Sequence, residues 1–273
     1  MGPRAVAYCS AMSSSTKTPA ADTAVEQARA PKSIGGYVAL GLWLATGAAL
    51  AAGYARGPLT FAFVMIGWVL SVTVHEFGHA WVAYRAGDRT MLAKGYLSLD
   101  PRRYGDVATS LLIPLIALAI GGIGFPGGAV YLRNDLMRSR TWRSAAALAG
   151  PGATLLVMLA LALVADLTRG VWSGPVYDAL AFLALLQAMA LVLNLLPIPG
   201  LDGFAVIRPF LPRAWDGAIR AISRFALIGL LLVLFGAPGA SDWLWTTAAS
   251  IVGFLGVPLD AAGRAYRAFH FWR

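Results

Sequence analysis

The sequence predicts an all-helical membrane protein with about six transmembrane helices and one re-entrant segment. Of its 273 residues, 58% are hydrophobic and 13% are charged, and the mean hydropathy is +0.67. An average globular domain has roughly 25% charged residues. Seven nearly uncharged stretches are each long enough, at about 17 residues or more, to cross a bilayer. They are residues 34–55, 57–84, 107–132, 144–165, 179–201, 225–241 and 243–259.

The residues before the first apolar stretch predict a disordered cytoplasmic tail. Residues 1–33 are rich in Ala, Ser, Thr and Pro and contain no apolar run or alternation that would build a packed element. The membrane-embedded domain is therefore expected at 34–273, with a C-terminal helical hairpin at 225–259. Cys9 is the single cysteine, which excludes an intramolecular disulfide and a cysteine-based zinc site. The abundance of Ala and Arg favours a bacterial source.

The basic residues predict how the chain is oriented. The formal charge is +9, but Lys and Arg form short clusters between apolar stretches, which is typical of topology signals and not of a nucleic-acid surface. If each cluster is cytoplasmic, the chain crosses the cell membrane several times and both termini lie inside. The clusters occur in residues 4–32, 85–103, 133–143, 208–220 and 264–273.

The stretch at 107–132 is predicted to enter the membrane and return on the same side. Pro114, Pro126 and two glycine pairs interrupt any continuous helix there, and the basic cluster at 133–143 follows it. Irregular backbone at that depth must be surrounded by protein or water. We expect a re-entrant segment with a short β element. The alternative is a seventh crossing, which would place the 133–143 cluster outside.

The stretch HEFGH at residues 75–79 predicts a metal site inside an apolar span. Residues four apart differ by about 40° around a helix, so His75 and His79 project from one face and can share one ion. Glu76 lies about 100° away, which suits a general base beside the metal and not a third ligand. Ionisable groups in a membrane span are costly and usually mark function. We therefore expect zinc, with Glu76 activating a water molecule.

A catalytic zinc site usually needs a third protein ligand. His270 lies in a terminal segment that is typical of an aromatic and basic interfacial anchor. The acidic candidates near the inner face are Asp88, Asp100, Asp106, Asp202 and Asp216. Asp202 differs from the others because Pro197, Pro199 and nearby glycines break the helix just before it, at the depth predicted for HEFGH. Asn194, one turn before Pro197, is a polar amide on the same span.

HEFGH followed far downstream by NLLPIPGLDG, residues 194–203, resembles the two hallmark motifs of the site-2 protease family of intramembrane zinc metalloproteases. The resemblance spans a core of residues 34–212. It implies one Zn²⁺ per chain, held by His75, His79 and Asp202, with Glu76 as catalytic base and Asn194 supporting substrate or transition-state binding. The segment PGGAVYL is similar to the glycine-paired segment that such proteases insert toward the active site, which implies a substrate-binding role for Gly127 and Gly128.

The family resemblance also shows departures. AGPGAT, residues 149–154, is similar to the family's AGPxxN stretch, but Thr154 stands where Asn is expected. No stretch is long or polar enough for a PDZ domain or a pair of CBS domains. The resemblance implies hydrolysis of transmembrane protein substrates near the cytoplasmic side, with the bilayer as surroundings and no nucleic-acid partner. The alternative is a catalytically inactive zinc-binding scaffold or metal carrier.

Overall fold

The fold is a bundle of apolar helices. A computed structural model describes residues 34–54, 56–104, 116, 118, 131–168 and 174–273. In chain order its helices are α1 (Gly35–Ala51), α2 (Arg56–Ala86), α3 (Thr90–Ala93), α4 (Arg140–Leu167), α5 (Pro175–Asn194), α6 (Asp202–Ile207), α7 (Asp216–Gly236), α8 (Ala240–Phe254) and α9 (Leu259–Phe269). Short 3₁₀ turns occur at Pro101–Arg103, Arg208–Phe210 and Arg213–Trp215.

Within the part of the chain that the structure describes, four helices are long and apolar enough to cross a membrane: α2, α4, α5, and α7 with the 3₁₀ turn before it. Helix α1 is apolar but has only 17 residues. The predicted count of six crossings is therefore not confirmed. The residues that the structure describes contain no strand. The predicted re-entrant segment and β element fall almost wholly outside the described residues.

Helix α5 forms the centre of the bundle. It is buried along most of its length and is surrounded by α2, α4, α8 and α9. Its composition explains this position, because Ala alternates with Leu and Phe on all sides and no charged residue follows Asp178 in the helix. A helix that is apolar all round can be surrounded by other helices. By contrast, α7 has only Leu230 and Leu234 buried, so its apolar surface faces outward.

The close approach of α2 and α4 depends on a glycine in HEFGH. A Cβ at Gly78 would lie 2.6 Å from the carbonyl oxygen of Ala149 and 3.1 Å from Cβ of Ala153, both on α4. Small residues at such a contact let two helix backbones approach, which is how apolar helices gain packing energy in a bilayer. This contact brings α4 against the helix turn that carries the two histidines.

The segment at 131–139 returns to the Ala86 end of α2. The backbone N–H of Arg133 donates to the buried carboxylate of Asp88 at 2.8 Å, and the N–H of Arg138 donates to the carbonyl of Ala86 at 3.1 Å. Lys94 also donates to the carbonyl of Tyr131. The cluster at 133–143 therefore lies at the same end of the bundle as the cluster at 85–103.

The C-terminal residues lie at the opposite end of the bundle from the start of α1, whereas the sequence predicts that both termini are cytoplasmic. Gly35 at the start of α1 packs against Asp100, near the Ala86 end. By contrast, Phe271 packs against Gly57 at the start of α2, and Arg264 pairs with Asp178 at the start of α5. The physical reason is length: α8 has 15 residues, a rise of only about 22 Å, and cannot return the chain across a ~30 Å layer.

Candidate metal centre

His75 and His79 face each other from successive turns of α2. Their ring centroids are 4.7 Å apart and their Nε2 atoms 3.1 Å apart. Both side chains are buried, with 7% and 6% of each residue exposed. The spacing of four residues that the sequence shows therefore produces a pair of imidazoles directed at one point.

Asp202 reaches the same point from the first residue of α6. Its Oδ2 lies 3.1 Å from Nε2 of His75, and its Oδ1 lies 3.3 Å from Nε2 of His79. The break after Asn194 lets the chain leave α5 and start α6 beside α2 and α4. One ligand atom from each of the three residues lies within 4.8 Å of the others.

Oxygen atoms of α4 hold the far side of both rings. Nδ1 of His79 donates to the carbonyl of Ala146 at 2.7 Å, and Nδ1 of His75 lies 2.9 Å from Oγ1 of Thr154. A carbonyl oxygen can only accept, so the proton of a neutral His79 is on Nδ1 and its Nε2 carries a lone pair. Pro151 lies inside α4 and has no N–H, so it cannot donate to the carbonyl four residues earlier, that of Ala147.

The donor set fits a divalent metal ion such as zinc. A neutral His79 directs its Nε2 lone pair toward a second imidazole nitrogen and a carboxylate, and such atoms repel each other unless a proton or cation lies between them. Two imidazoles and one carboxylate are a ligand set of catalytic zinc sites, which leave a fourth position open. Metal-ligating histidines usually donate their other ring N–H to an oxygen, the contact that His79 makes with Ala146.

Gly150 provides the space in front of the two rings. A Cβ at this position would lie 2.7 Å from Nε2 of His75 and would overlap Nε2 of His79. Ala146, Gly150 and Thr154 are spaced by four residues, so one stripe of α4 faces the histidine pair. Any side chain larger than hydrogen at Gly150 would occupy the volume to which the ligand atoms point.

Glu76 is buried next to the histidines, with 4% of the residue exposed. Its charge also reaches the segment that follows α3. Burial raises the pKa of Tyr104 above its usual value, and the carboxylate of Glu76 raises it further. The pKa of Tyr96 is raised by burial, by Tyr131 and then by Glu76. The hydroxyl of Tyr104 donates to the carbonyls of Tyr96 and Ser98, which fixes the conformation of this segment.

Asn194 also lies at the centre, as the last residue of α5. It is 5% exposed and lines a small cavity together with His75 and Thr154. Gly127 and Gly128, for which the sequence predicts a substrate-binding role, lie outside the described residues.

The other ligand candidates lie elsewhere or have different partners. His270 donates Nδ1 to the carbonyl of Tyr266 among aromatic rings near the Arg56 end of α2. Asp216 pairs with Arg208, and Asp100 pairs with Arg102. Asp88 accepts from Thr90 and from the N–H of Arg133. Asp106 lies outside the described residues.

Sequence reasoning missed the contributions of α4. The acceptor for His79 is a backbone carbonyl, and no side chain in the sequence marks it. Gly150 is one small residue among several in a stretch that is otherwise typical of helix packing. Thr154 is noted in the sequence only as a departure from an expected Asn. The signal that the sequence offers for the role of α4 is Pro151 next to the residues Ala146, Gly150 and Thr154, which are spaced by four.

Comparison with curated proteins identifies relatives over most of the chain. The chain is 44% identical to "Putative zinc metalloprotease Rip2" of Mycobacterium tuberculosis over 239 residues, which cover 84% of this chain and 90% of the relative. It is 38% identical to the Rip2 protein of Mycolicibacterium smegmatis over 78% of this chain and 82% of the relative. It is 27% identical to "Putative zinc metalloprotease YwhC" of Bacillus subtilis over 67% and 84% of the two chains. No family model and no solved structure matches the chain.

Proposed function

Because the chain belongs to the site-2 protease family of zinc metalloproteases, we propose that it hydrolyses peptide bonds of transmembrane protein substrates inside a bacterial cell membrane. The observation that carries this proposal is the convergence of His75, His79 and Asp202 on one buried point. A surface zinc site would not need this depth, and a structural site would fill the fourth position with protein.

We assign one zinc ion per chain to these three ligands. The bound ion would polarise the scissile carbonyl and increase the acidity of the attacking water. His75 and His79 contribute neutral Nε2 atoms, and Ala146 and Thr154 keep the rings oriented. Gly150 leaves room for the ion and for the substrate carbonyl.

Glu76 acts as the general base. Its carboxylate accepts a proton from the attacking water as the oxygen bonds to the carbonyl carbon. The same proton then passes to the nitrogen of the leaving amine as the C–N bond breaks. Burial of Glu76 beside the metal ligands supports this role, since a carboxylate held away from bulk water keeps the proton close to the reacting atoms. Asn194 contacts the substrate backbone.

We place the reaction toward the cytoplasmic side of the membrane. The basic clusters at 85–103 and 133–143 lie at the Ala86 end of α2, and His75 and His79 are within about three turns of that end. A substrate helix must unwind before cleavage, because the hydrogen bonds and side chains of a helix shield its carbonyls. Gly127 and Gly128 are proposed to pair with the extended substrate.

Cleavage by Glu76→Gln compared with the unchanged protein tests the function. Both proteins, purified in detergent and returned to vesicles, are given a membrane-tethered reporter substrate. The expected result is a loss of at least about 100-fold in cleavage rate, the scale of a general base, with zinc content unchanged. Glu26→Gln, which makes the same change before the first apolar stretch, is the control and should cleave normally.

Equal cleavage by Glu76→Gln and the unchanged protein would contradict the assignment of the base. If neither protein cleaves any membrane-tethered reporter although both contain zinc, the scaffold or metal-carrier alternative replaces the protease. Zinc content itself should fall sharply in His75→Ala, His79→Ala and Asp202→Ala and remain in His270→Ala and Asp216→Ala.

A further inference from the structure

The hydrogen bond between Nδ1 of His75 and the hydroxyl of Thr154 can run in either direction. Ala146 can only accept, so it determines the tautomer of His79, whereas the hydroxyl of Thr154 can either donate or accept. If Thr154 donated to Nδ1 of His75, the ring proton would move to Nε2 and block the position that faces Asp202. His75 can bind a metal through Nε2 only if the hydroxyl of Thr154 accepts a hydrogen bond from Nδ1 and donates its own hydrogen bond to another group.

A small polar cavity lies beside Thr154 and His75. Its volume is about 10 Å³, and its walls include Trp68, Ser71, Gln187 and Asn194. This is close to the minimum space that one water molecule needs. Nε1 of Trp68 and Nε2 of Gln187 are buried there, and neither has a hydrogen-bond partner among the residues that the structure describes. Trp68 and Gln187 are 1% and 2% exposed.

The cavity therefore favours an occupant with lone pairs. Buried donors without partners are costly, and a water molecule with two to four polar neighbours is the usual solution. Ser71 already donates to the carbonyl of Gly67 at 2.8 Å, so its oxygen is available as an acceptor for a water proton. Thr154 lines the same cavity, and its hydroxyl can donate a hydrogen bond to the same water molecule.

We propose that Thr154 is a positioning residue for His75, and that a buried water molecule in this cavity, held by Gln187 and Ser71, accepts a hydrogen bond from the Thr154 hydroxyl. The water accepts from Gln187 and Thr154 and donates to Ser71. Oγ1 of Thr154 then accepts from Nδ1 of His75 and keeps the lone pair of Nε2 directed at the metal. This inference rests on the proposed ligand set but not on proteolysis.

Metal affinity of Thr154 variants tests the inference. Zinc affinity is measured by chelator competition on the full-length protein in detergent, in a Glu76→Gln background that removes cleavage from the readout. Thr154→Val keeps the shape but cannot accept a hydrogen bond, and it should lower the affinity about 10–100-fold, the usual effect of losing a partner of a metal-bound histidine. Thr154→Ser keeps the hydroxyl and should retain most of the affinity.

Thr73→Val is the matched control. Thr73 is also buried on α2, but its hydroxyl donates to the carbonyl of Val69 in its own helix. Its replacement removes a buried hydroxyl two residues from His75 without touching the ring, so zinc affinity should not change. Unchanged affinity in Thr154→Val, or an equal loss in Thr154→Ser, would overturn the positioning role.

The water is tested separately with Gln187→Met, which fills the same volume but has no N–H donor. We expect a smaller loss of zinc affinity than in Thr154→Val, and a change in the visible absorption of the cobalt-substituted protein that shows an altered ligand geometry. The same spectrum and affinity as in the unchanged protein would exclude the water. Because all these readouts are binding measurements, a failure of the protease proposal would leave them interpretable.

Discussion

Gly150 lies where α4 faces the Nε2 atoms of both histidines. Its lack of a side chain is important, because a methyl group here would occupy the volume to which the three ligand atoms point. The residue has no polar group, so no chemical signal in the sequence distinguishes it from other small residues of α4. Only the packing of α4 against α2 shows its role.

Gly150→Ala is expected to abolish zinc binding while leaving the protein folded. The added Cβ would overlap Nε2 of His79 and lie 2.7 Å from Nε2 of His75. Loss of a hydrogen-bond partner of a metal-bound histidine costs about 10–100-fold in metal affinity, so blocking the position of the metal itself should cost at least that much. Zinc content per protein, measured by elemental analysis after purification, checks this.

Gly152→Ala is the control for this prediction. It makes the same change two residues away on the same helix, where a Cβ would meet no atom within 4 Å. It should bind zinc normally. Equal zinc content in both variants would mean that the histidines can move aside, and that the space at Gly150 is not required.

How far the sequence predicts the centre differs between residues. His75 and His79 are predicted because a spacing of four residues places two side chains on one helix face whatever the surroundings. Asp202 is predicted to lie at their depth because prolines break the helix before it. The acceptor role of Ala146 could not be predicted, since a carbonyl has the same chemistry at every residue and only tertiary packing selects one.

At the scale of elements, the contact between α2 and α4 builds the centre. Gly78 allows the approach, and α4 then supplies Ala146, Gly150 and Thr154 to the histidines that flank Gly78. The two helices are therefore not independent. Packing at Gly78 and geometry at the metal ligands should change together.

Gly78→Ala is expected to destabilise the protein and weaken zinc binding. In an isolated helix this change would stabilise by about 0.5–1 kcal/mol. Here the Cβ would lie 2.6 Å from the carbonyl oxygen of Ala149, and overpacking of this kind typically costs about 1–3 kcal/mol. Thermal unfolding in detergent measures the net effect.

The matched control is Gly41→Ala in α1, where an added Cβ meets nothing within 4 Å. This variant should be as stable as the unchanged protein or slightly more stable. If Gly78→Ala behaved in the same way, the close approach of α2 and α4 would not depend on glycine.

The apolar stretches predict the long helices well and the last ones poorly. The predicted spans at 57–84 and 144–165 correspond to Arg56–Ala86 and Arg140–Leu167. The predicted span at 243–259 instead contains most of Ala240–Phe254, which is short, and is followed by the amphipathic helix α9. Hydropathy measures how long a segment is apolar, whereas the position of the C-terminal residues depends on aromatic packing of Phe269 against Phe61 and Phe182.

At the scale of the whole molecule, the bundle has two chemically different ends. The Ala86 end contains the proposed metal ligands, the buried Asp88 and the returning segment with Arg133 and Arg138. At the Arg56 end, Arg264 binds Asp178 and Asp260, which ties α9 to the start of α5. Because a crossing helix separates these ends, the residues at each end should face different compartments.

Single cysteines at the two ends should therefore be labelled from opposite sides of the membrane. Asp135→Cys and Arg273→Cys, each in a Cys9→Ser background, place a thiol at an exposed position at each end. An impermeant maleimide applied to sealed cells and to inverted vesicles should label Arg273→Cys in cells and Asp135→Cys in inverted vesicles. Labelling of both variants only in inverted vesicles would restore the prediction that the C-terminus is cytoplasmic.

The stripe of Ala146, Gly150 and Thr154 has a mechanical consequence. A shift of α4 along α2 by one residue, about 1.5 Å of rise and 100° of rotation, would remove both acceptors and bring another residue to the position of Gly150. The affinity of the site for its metal ion therefore depends on the register between α2 and α4. Changes in bilayer thickness that tilt or shift α4 would therefore change the fraction of protein molecules that hold the metal ion, even without contact between a lipid and a metal ligand.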